Sequence, residues 1–133
     1  MWLVFSLEKM AERFQQETAI PTFFQHDCKQ VGLSITEEMQ LVRIVQESLA
    51  NIRKHAQAQA VRILLDCPGK NHYRVLVEDD GVGFDYTEKE GKPGEHIGLS
   101  IMEERAHKLG ADFRIESEVG EGTRVELVYR LNS

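Results

Sequence analysis

Four polar side chains lie close together in the run QESLANIRKHA, residues 46–56: Glu47, Asn51, Lys54 and His55. On an α-helix the first three are spaced i, i+4 and i+7, which places them on one side, with His55 at its edge. Asparagine is a poor helix former, so its position in a helical run needs another reason. Acid, amide and basic groups gathered on one side can form a binding site. A solvated helix face is the alternative that these residues alone leave open.

A second polar cluster follows a strand pattern in VEDDGVGF, residues 77–84. Asp79 ends the strand, where we expect a half-buried carboxylate. Gly81 and Gly83 allow positive φ and a close approach of the backbone to a flat ligand. Asp-Gly is also a common hairpin signal. A polar loop of more than a dozen residues follows instead of a partner strand, however, and such loops in compact domains are usually functional.

Two further glycine-containing runs, HIGLSIM and GEGTRVEL, are candidates for the same site. Gly98 opens a predicted helix, whose free N–H groups and positive dipole end can receive an anion. Gly120 and Gly122 bracket a turn, and Thr123 supplies a hydroxyl at a strand start. An ordinary helix start and a plain hairpin turn are the alternatives. The sequence contains no GxxxxGK[ST], GxGxxG or HExxH, which excludes P-loop and Rossmann sites.

The elements that must position these groups follow from hydrophobic periodicity. Helices are predicted over 6–17, from about Thr36 to about Ala58, and over GLSIMEERAHKL before Gly110. Ser34 and Glu37 have the spacing of a capping box. Strands are predicted in AIPTFFQHD, with Pro21 at a sheet edge, in VRILLDC and HYRVLVED, and in ADFRIES and TRVELVYRL. The predicted fold is α+β, a two-layer α/β sandwich. Its mixed, mostly antiparallel sheet has about five strands, covered on one face by about three helices.

Composition sets further limits. A chain of 133 residues with 41% apolar content predicts one domain, 1–133. The net charge of −6 argues against broad nucleic-acid binding. Cys28 and Cys67 are far apart and lack CxxC spacing, which is typical of a reducing cytosol and argues against a zinc site. The apolar start MWLVF is too short for a signal peptide or a membrane segment, and it is interpreted as a fragment edge or a remnant of cloning.

Taken in order, ESLANIRKHA, DDGVG, HIGL and GEGT resemble the N-box and glycine boxes of the ATP-binding catalytic domain of bacterial sensor histidine kinases. Such domains have the Bergerat-type ATP-binding fold and belong to a superfamily that also includes gyrase, Hsp90 and MutL. The resemblance covers about residues 5–131. RIVQESLANIRKHAQAQAV and GLSIMEERAHKLG are most similar to the branch paired with LuxR-type response regulators, which includes nitrate/nitrite sensor kinases.

The resemblance implies ATP and Mg²⁺ as cofactors and assigns roles to single residues. Asp79 would accept a hydrogen bond from the adenine amino group, and Asn51 would coordinate Mg²⁺ through its amide oxygen. Loop 84–97 would be the nucleotide lid. The implied catalytic residues are Glu47 (holding a water near the metal), Asn51, and Lys54 and His55 (facing the phosphates). The implied cofactor-binding residues are Asp79, Gly81, Gly83 (under the ring), His96, Gly98 (receiving phosphate oxygens), Leu99 and Thr123.

Two positions depart from the family pattern. Asp80 stands where asparagine is usual and adds a negative charge near the site. His96 stands where many relatives have glycine, which weakens the expected contact of the lid with phosphate. The run QHDC contains His26, but a strand end is not the long helix on which a phosphoacceptor histidine lies.

We therefore expect an isolated catalytic domain without phosphoacceptor or sensor domains. Its implied partners are the dimerisation and phosphoacceptor domain of the same kinase and a LuxR-type response regulator. Its implied location is cytoplasmic, as part of an inner-membrane sensor. Two alternatives remain open: a serine kinase of the anti-sigma-factor type and a non-catalytic interaction module of the same fold.

Overall fold

The computed structural model describes residues 2–28, 32–69, 71–82 and 97–130. In chain order the elements are α1 (Trp2–Thr18), β1 (Thr22–His26), α2 (Ile35–Asn51), a π-helical segment (Ile52–Ala56), β2 (Val61–Gly69), β3 (His72–Asp79), α3 (Ile97–Leu109), β4 (Asp112–Glu118) and β5 (Gly122–Arg130). None of the described helices combines the length and the apolar character needed to cross a membrane.

Helix α1 begins earlier than the sequence predicts. It starts at Trp2, so that most of MWLVF forms its first turn and Leu3 is fully buried. Leu7, Ala11 and Phe14 continue the same buried stripe. Leu3 has the helical spacing that joins it to the stripe, so the predicted helix over 6–17 extends to earlier residues.

Helix α2 begins with the predicted capping box. Glu37 N–H donates to Ser34 Oγ at 3.1 Å, and Ser34 N–H donates to Glu37 Oε1 at 2.9 Å. The predicted continuous helix to about Ala58 is only partly confirmed. After Asn51 the hydrogen bonding changes to a π-helical segment, and Gln57 ends it with φ of 49°. Such π turns occur frequently at functional sites.

The sheet confirms the predicted fold class. Its strand order is β1-β2-β3-β5-β4, with β1 parallel to β2 and the other neighbours antiparallel. Strand β1 lies at an edge directly after Pro21, as predicted. The pairs β2–β3 and β4–β5 are the two predicted hairpins.

Alternate side chains divide the sheet into a covered face and an open face. The covered face packs against the three helices with Val61, Ile63, Leu65, Tyr73, Val75, Val77, Ile115, Val125, Leu127 and Tyr129. The open face carries ion pairs between neighbouring strands, Arg62–Glu78 at 2.6 Å and Arg74–Glu126 at 2.7 Å. Within the described residues the α+β sandwich therefore has two layers, with helices on one side of the sheet.

Two tyrosines fix the direction of α2 across the sheet. Gly32 N–H donates to Tyr73 Oη at 2.7 Å, and Tyr129 Oη donates to Glu37. From Glu37 to Asn51, α2 rises about 21 Å. From Tyr129 to Thr123, β5 covers about 20 Å. The C-terminal end of α2 therefore lies at the end of the sheet where Thr123 pairs with Asp79.

Helix α3 runs antiparallel to α2. Ser48 Oγ donates to Met102 Sδ at 3.2 Å, and Arg105 Nη1 donates to Gln40 Oε1 at 3.2 Å. Since the later α3 residue meets the earlier α2 residue, the start of α3 lies beside the end of α2. The N-terminus of α3, Asn51 and Asp79 consequently share one end of the molecule, which we call the site end.

The two cysteines are close together in space, at the opposite end of the sheet. Cys28 follows β1 and forms a disulfide with Cys67 of β2, with a Cα–Cα distance of 5.2 Å and a sequence separation of 39. The sequence interpretation of two distant, reduced cysteines is therefore corrected. The parallel pairing of β1 with β2, which the local sequence does not encode, brings them together.

Candidate functional site

Asp79 is a buried carboxylate at the end of β3. It lies between Val61 of β2 and Thr123 of β5, on the helix-covered face, and is only 8% exposed. Its Oδ1 accepts the N–H of Gly81 at 2.8 Å. Burial raises the pKa of Asp79, and the nearby charge of Asp80 adds to this, while backbone N–H groups of Gly81 and Thr123 partly offset it. A carboxylate accepts about four hydrogen bonds, so Asp79 retains capacity for a donor from a ligand.

The turn between β4 and β5 packs directly against this carboxylate's backbone. Gly122 has φ of +84°, and a Cβ placed on it would lie 2.1 Å from the carbonyl oxygen of Asp79. Only glycine fits there, for both reasons. From the sequence, Gly122 is predicted only to bracket the turn. The signal that identifies it is the GEGT run itself, with glycine immediately before the strand.

The same turn also holds the chain that follows Asp79. The N–H of Gly120 donates to the carbonyl of Val82 at 2.6 Å. Thr123 Oγ1 and Ser117 Oγ share a hydrogen bond of 2.8 Å, and Ser117 Oγ also donates to the carbonyl of Gly122 at 3.2 Å. Ser117 is a neighbour of the site that sequence reasoning missed, because it lies on β4 and only the β4–β5 register places it opposite Thr123.

Asp80 has a structural partner that the sequence did not indicate. Its Oδ1 accepts the backbone N–H groups of Gln59 at 2.8 Å and Ala60 at 2.9 Å. These residues connect the π-helical segment to β2. Asp80, which stands where asparagine is usual, carries a negative charge that contributes to the raised pKa of Asp79.

Glu47 and Asn51 lie on the flank of α2 and are half-buried, whereas Lys54 is exposed. The amide of Asn51 makes no capping hydrogen bond to the π-helical segment that follows it. The predicted i, i+4, i+7 alignment holds only from Glu47 to Asn51, because Lys54 and the backbone of His55 belong to the π-helical segment, where the residues per turn change. The side chain of His55 is not among those described.

The remaining predicted residues are divided between α3 and the chain outside the described ranges. The backbone of Gly98 and Leu99 forms the first turn of α3, which begins one residue earlier than predicted, at Ile97. This turn lies at the site end, and its N–H groups can receive an anion. Gly83, His96 and most of the predicted lid, residues 84–96, lie outside the described residues.

An open cleft of about 320 Å³ lies at the end of β3, β4 and β5. Carboxylates form most of its lining, which consists of Glu78, Asp79, Glu116, Ser117, Glu118, Glu121, Gly122, Thr123 and Arg124. The polar groups at the site end suit an adenine nucleotide chemically. They combine a buried acceptor carboxylate, an amide oxygen not used in capping and a helix N-terminus. The amide oxygen is of the ligand type that Mg²⁺ accepts.

Residues 36–133 match the family model described as histidine kinase-, DNA gyrase B-, and HSP90-like ATPase. The chain belongs to this ATPase family. The matched region contains α2 from Thr36 onward, the site-end turns and every residue of the predicted site.

Among curated relatives, the chain is 36% identical over 123 residues to the signal transduction histidine-protein kinase/phosphatase DegS of Brevibacillus brevis. It is 32% identical over 131 residues to the nitrate/nitrite sensor protein NarQ of Escherichia coli. These alignments cover 92% and 94% of this chain but only 31% and 22% of the two relatives. The ATPase-family chain thus spans less than a third of either protein.

The solved histidine kinase domain of the Erythrobacter litoralis EL346 blue-light activated histidine kinase has a similar structure. The TM-score is 0.75 at 25% sequence identity, over 97% of this chain and 61% of that one. The helix layer and mixed sheet of the present chain are therefore those of a histidine kinase ATP-binding domain.

Proposed function

We propose that this chain binds ATP with Mg²⁺ and donates the γ-phosphoryl group to a histidine on a separate dimerisation domain. The observation that carries the proposal is the buried Asp79 carboxylate, held at a strand end within a chain of this ATPase family. Residues 1–133 would act as one catalytic domain with loop 84–97 as its lid.

In this proposal Asp79 selects the base. Adenine offers an amino donor where guanine offers a carbonyl oxygen, so a buried acceptor carboxylate favours adenine. Gly81 supports Asp79 through its N–H. Gly83 provides a surface without a side chain under the ring, and Thr123 lies beside Asp79, where it pairs with Ser117.

The end of α2 and the start of α3 hold the phosphates and the metal. Asn51 supplies an amide oxygen ligand and Glu47, one turn earlier, orients a water. When bound, Mg²⁺ neutralises charge on the phosphate oxygens. The further phosphate contacts come from Lys54, His55, His96, and the N–H groups of Gly98 and Leu99.

Phosphoryl transfer needs positioning and charge neutralisation more than covalent chemistry by the protein. The acceptor imidazole is itself the nucleophile, so this chain would orient the nucleotide and stabilise charge. The proposed partners are the phosphoacceptor domain of the same kinase and a response regulator, of LuxR type by sequence resemblance. The proposed location is the cytoplasmic side of a sensor.

The proposal is tested in two stages on the chain itself. Calorimetric titration should show ATP binding that Mg²⁺ strengthens. The chain should then transfer phosphate from ATP to a histidine-bearing helical hairpin domain supplied in trans, giving an acid-labile, alkali-stable phosphoprotein. Acid-stable phosphate on a serine-bearing acceptor would favour the serine-kinase alternative, and no nucleotide binding would favour a non-catalytic module.

A further inference from the structure

The carboxylate of Asp80 joins two parts of the candidate site that are about 20 residues apart in sequence. One oxygen, Oδ1, accepts N–H groups from consecutive residues, Gln59 at 2.8 Å and Ala60 at 2.9 Å. Asp80 itself follows Asp79, whose side chain enters the covered face. The bonds therefore connect the base-selecting strand end with the chain leaving the α2 helix.

The connection from residue 57 to residue 60 determines where the end of α2 lies relative to β2. It begins with Gln57 in the left-handed region, φ of 49°, and ends at Val61, which pairs with Asp79. Residues that precede it by one or two turns include Lys54 and Asn51. A shift of this connection would move the proposed metal and phosphate groups relative to Asp79.

A carboxylate suits this position better than a neutral acceptor. Hydrogen bonds to an ionised acceptor are shorter and stronger than neutral ones, and here one oxygen receives two of them. The negative charge also has a cost, because it disfavours ionisation of the neighbouring Asp79.

We propose that Asp80 is a positioning residue that holds the adenine end of the site in register with the metal and phosphate end. This inference rests on the proposed nucleotide function. It assigns Asp80 no contact with the ligand. Ligands that occupy both ends should depend on Asp80, whereas a ligand that occupies only the base end should not.

The test compares two ligands on three variants of the full 133-residue chain. Dissociation constants for ATP·Mg²⁺ and for adenosine are measured by calorimetry for wild type, Asp80→Ala and Asp80→Asn. In Asp80→Ala, ATP·Mg²⁺ affinity should fall roughly tenfold or more, since small misplacements of binding groups are costly, while adenosine affinity should change less than about threefold. Asp80→Asn retains Oδ1 as an acceptor and should restore most of the loss.

Asp27→Ala is the matched control. Asp27 Oδ1 accepts the N–H of Cys67 at 2.9 Å, a bond across 40 residues at the end of the sheet opposite the site. Its removal also deletes a carboxylate–backbone bond, so it reports general loss of stability. Asp27→Ala should leave the ratio of the two dissociation constants unchanged.

Different failures are distinguishable. If wild type binds neither ligand, the proposed function itself fails. If wild type binds ATP·Mg²⁺ and Asp80→Ala binds it as tightly or more tightly, Asp80 acts only as a repulsive charge and the positioning role is overturned. An equal loss for adenosine and ATP·Mg²⁺, or the same ratio change in Asp27→Ala, would also overturn it.

Discussion

At the scale of single residues, the candidate site contains a carboxylate whose burial costs free energy and an asparagine at a helical position that it does not favour. Asp79 is ionisable yet only 8% exposed, and its raised pKa records the cost of burying its charge. Asn51 is a poor helix former at the point where α-helix gives way to π-helix. The buried charge of Asp79 and the helical position of Asn51 both lower the stability of the ligand-free fold, which is common where a site is preorganised for a ligand.

Asp79→Asn should therefore separate stability from function. At pH 7 we expect an equal or higher melting temperature, because the buried charge is removed, and at least about tenfold weaker ATP binding through loss of the charged acceptor. In wild type, ATP should outbind GTP by about tenfold or more. Equal titration curves for the two nucleotides in wild type would contradict the role of Asp79.

The same variant has a defined pH dependence. The folded-state pKa of Asp79 lies above its usual value of 3.8. The destabilisation is therefore fully present above the folded pKa and is relieved as the pH falls through it. The melting-temperature difference between Asp79→Asn and wild type should shrink on acidification. A difference that grows instead would mean that ionised Asp79 stabilises the fold.

Asn51→Ala should remove the metal dependence of binding without harming the fold. Alanine is the better helix former, by several tenths of a kcal/mol, so the apo melting temperature should be unchanged or higher. The increase in ATP affinity caused by Mg²⁺ should be lost, as measured by titration with and without the metal. If Mg²⁺ strengthens ATP binding equally in the mutant, Asn51 is a surface residue and not a ligand.

At the scale of elements, two contacts between distant parts of the chain hold the site end and the opposite end. The β4–β5 turn touches the end of β3 through Gly122, and the start of α2 is tied to β5 through Glu37 and Tyr129. Burial, followed by the bond to Glu37, raises the pKa of Tyr129 to about 12.

Gly122→Ala should be strongly destabilising, by more than about 2 kcal/mol, because both the positive φ and the clash with the Asp79 carbonyl oppose a Cβ. Gly120→Ala is the matched control. It has φ of +86° but nothing within 4 Å of its added Cβ, so only the backbone cost of about 1–2 kcal/mol applies. Urea unfolding compares the two. Equal losses would mean that the predicted clash is relieved without cost.

Glu37→Gln should make the free energy of unfolding less dependent on pH in the acid range. Burial alone would raise the pKa of Glu37, but hydrogen bonds from Tyr129 and Ser34 outweigh it and hold the pKa below its usual value of 4.5. Its stabilisation is therefore present above pH 4.5 and is lost as the pH falls through the lower folded value. Glutamine keeps the capping geometry but should lose about 1–2 kcal/mol at pH 7.

The check is urea unfolding at pH 7 and at decreasing pH, with Tyr129→Phe as the companion variant. The difference between wild type and Glu37→Gln should diminish on acidification. If it persists well below the folded pKa, charge on Glu37 is not the source of the stabilisation.

At the scale of the whole molecule, the proposed ligand would join elements from both layers. The sheet would contribute Asp79 and Thr123, the helix layer would contribute Asn51 and the start of α3, and loop 84–97 would cover the nucleotide. Because the ligand binds only the folded state, it should stabilise all these elements together, by about 2.7 kcal/mol at 100 times Kd.

Hydrogen exchange tests this coupling. The segment FDYTEKEGKPGEHI, 84–97, has few apolar groups to offset the entropy of ordering. We expect its amide exchange to slow when ATP·Mg²⁺ is added. GTP·Mg²⁺ at the same concentration should have a smaller effect. Equal protection with and without ATP·Mg²⁺ would exclude lid closure from the mechanism.

The sequence by itself determined the features that depend on neighbouring residues. The capping box at Ser34 and the stop at Gly110, which has φ of +77°, are local hydrogen-bonding and backbone effects. The hairpins and buried stripes follow from turn residues and periodicity. These features, with the order of the glycine-containing runs, suffice for the α+β class and for the family resemblance.

Tertiary structure alone decided which distant residues meet. The Cys28–Cys67 disulfide depends on parallel pairing of β1 with β2, and the position of Ser117 beside Thr123 depends on the β4–β5 register. The bonds of Asp80 to residues 59 and 60 depend on where α2 ends above the sheet. Local propensity cannot encode such contacts, because they form only when packing of the whole core sets the distances between elements.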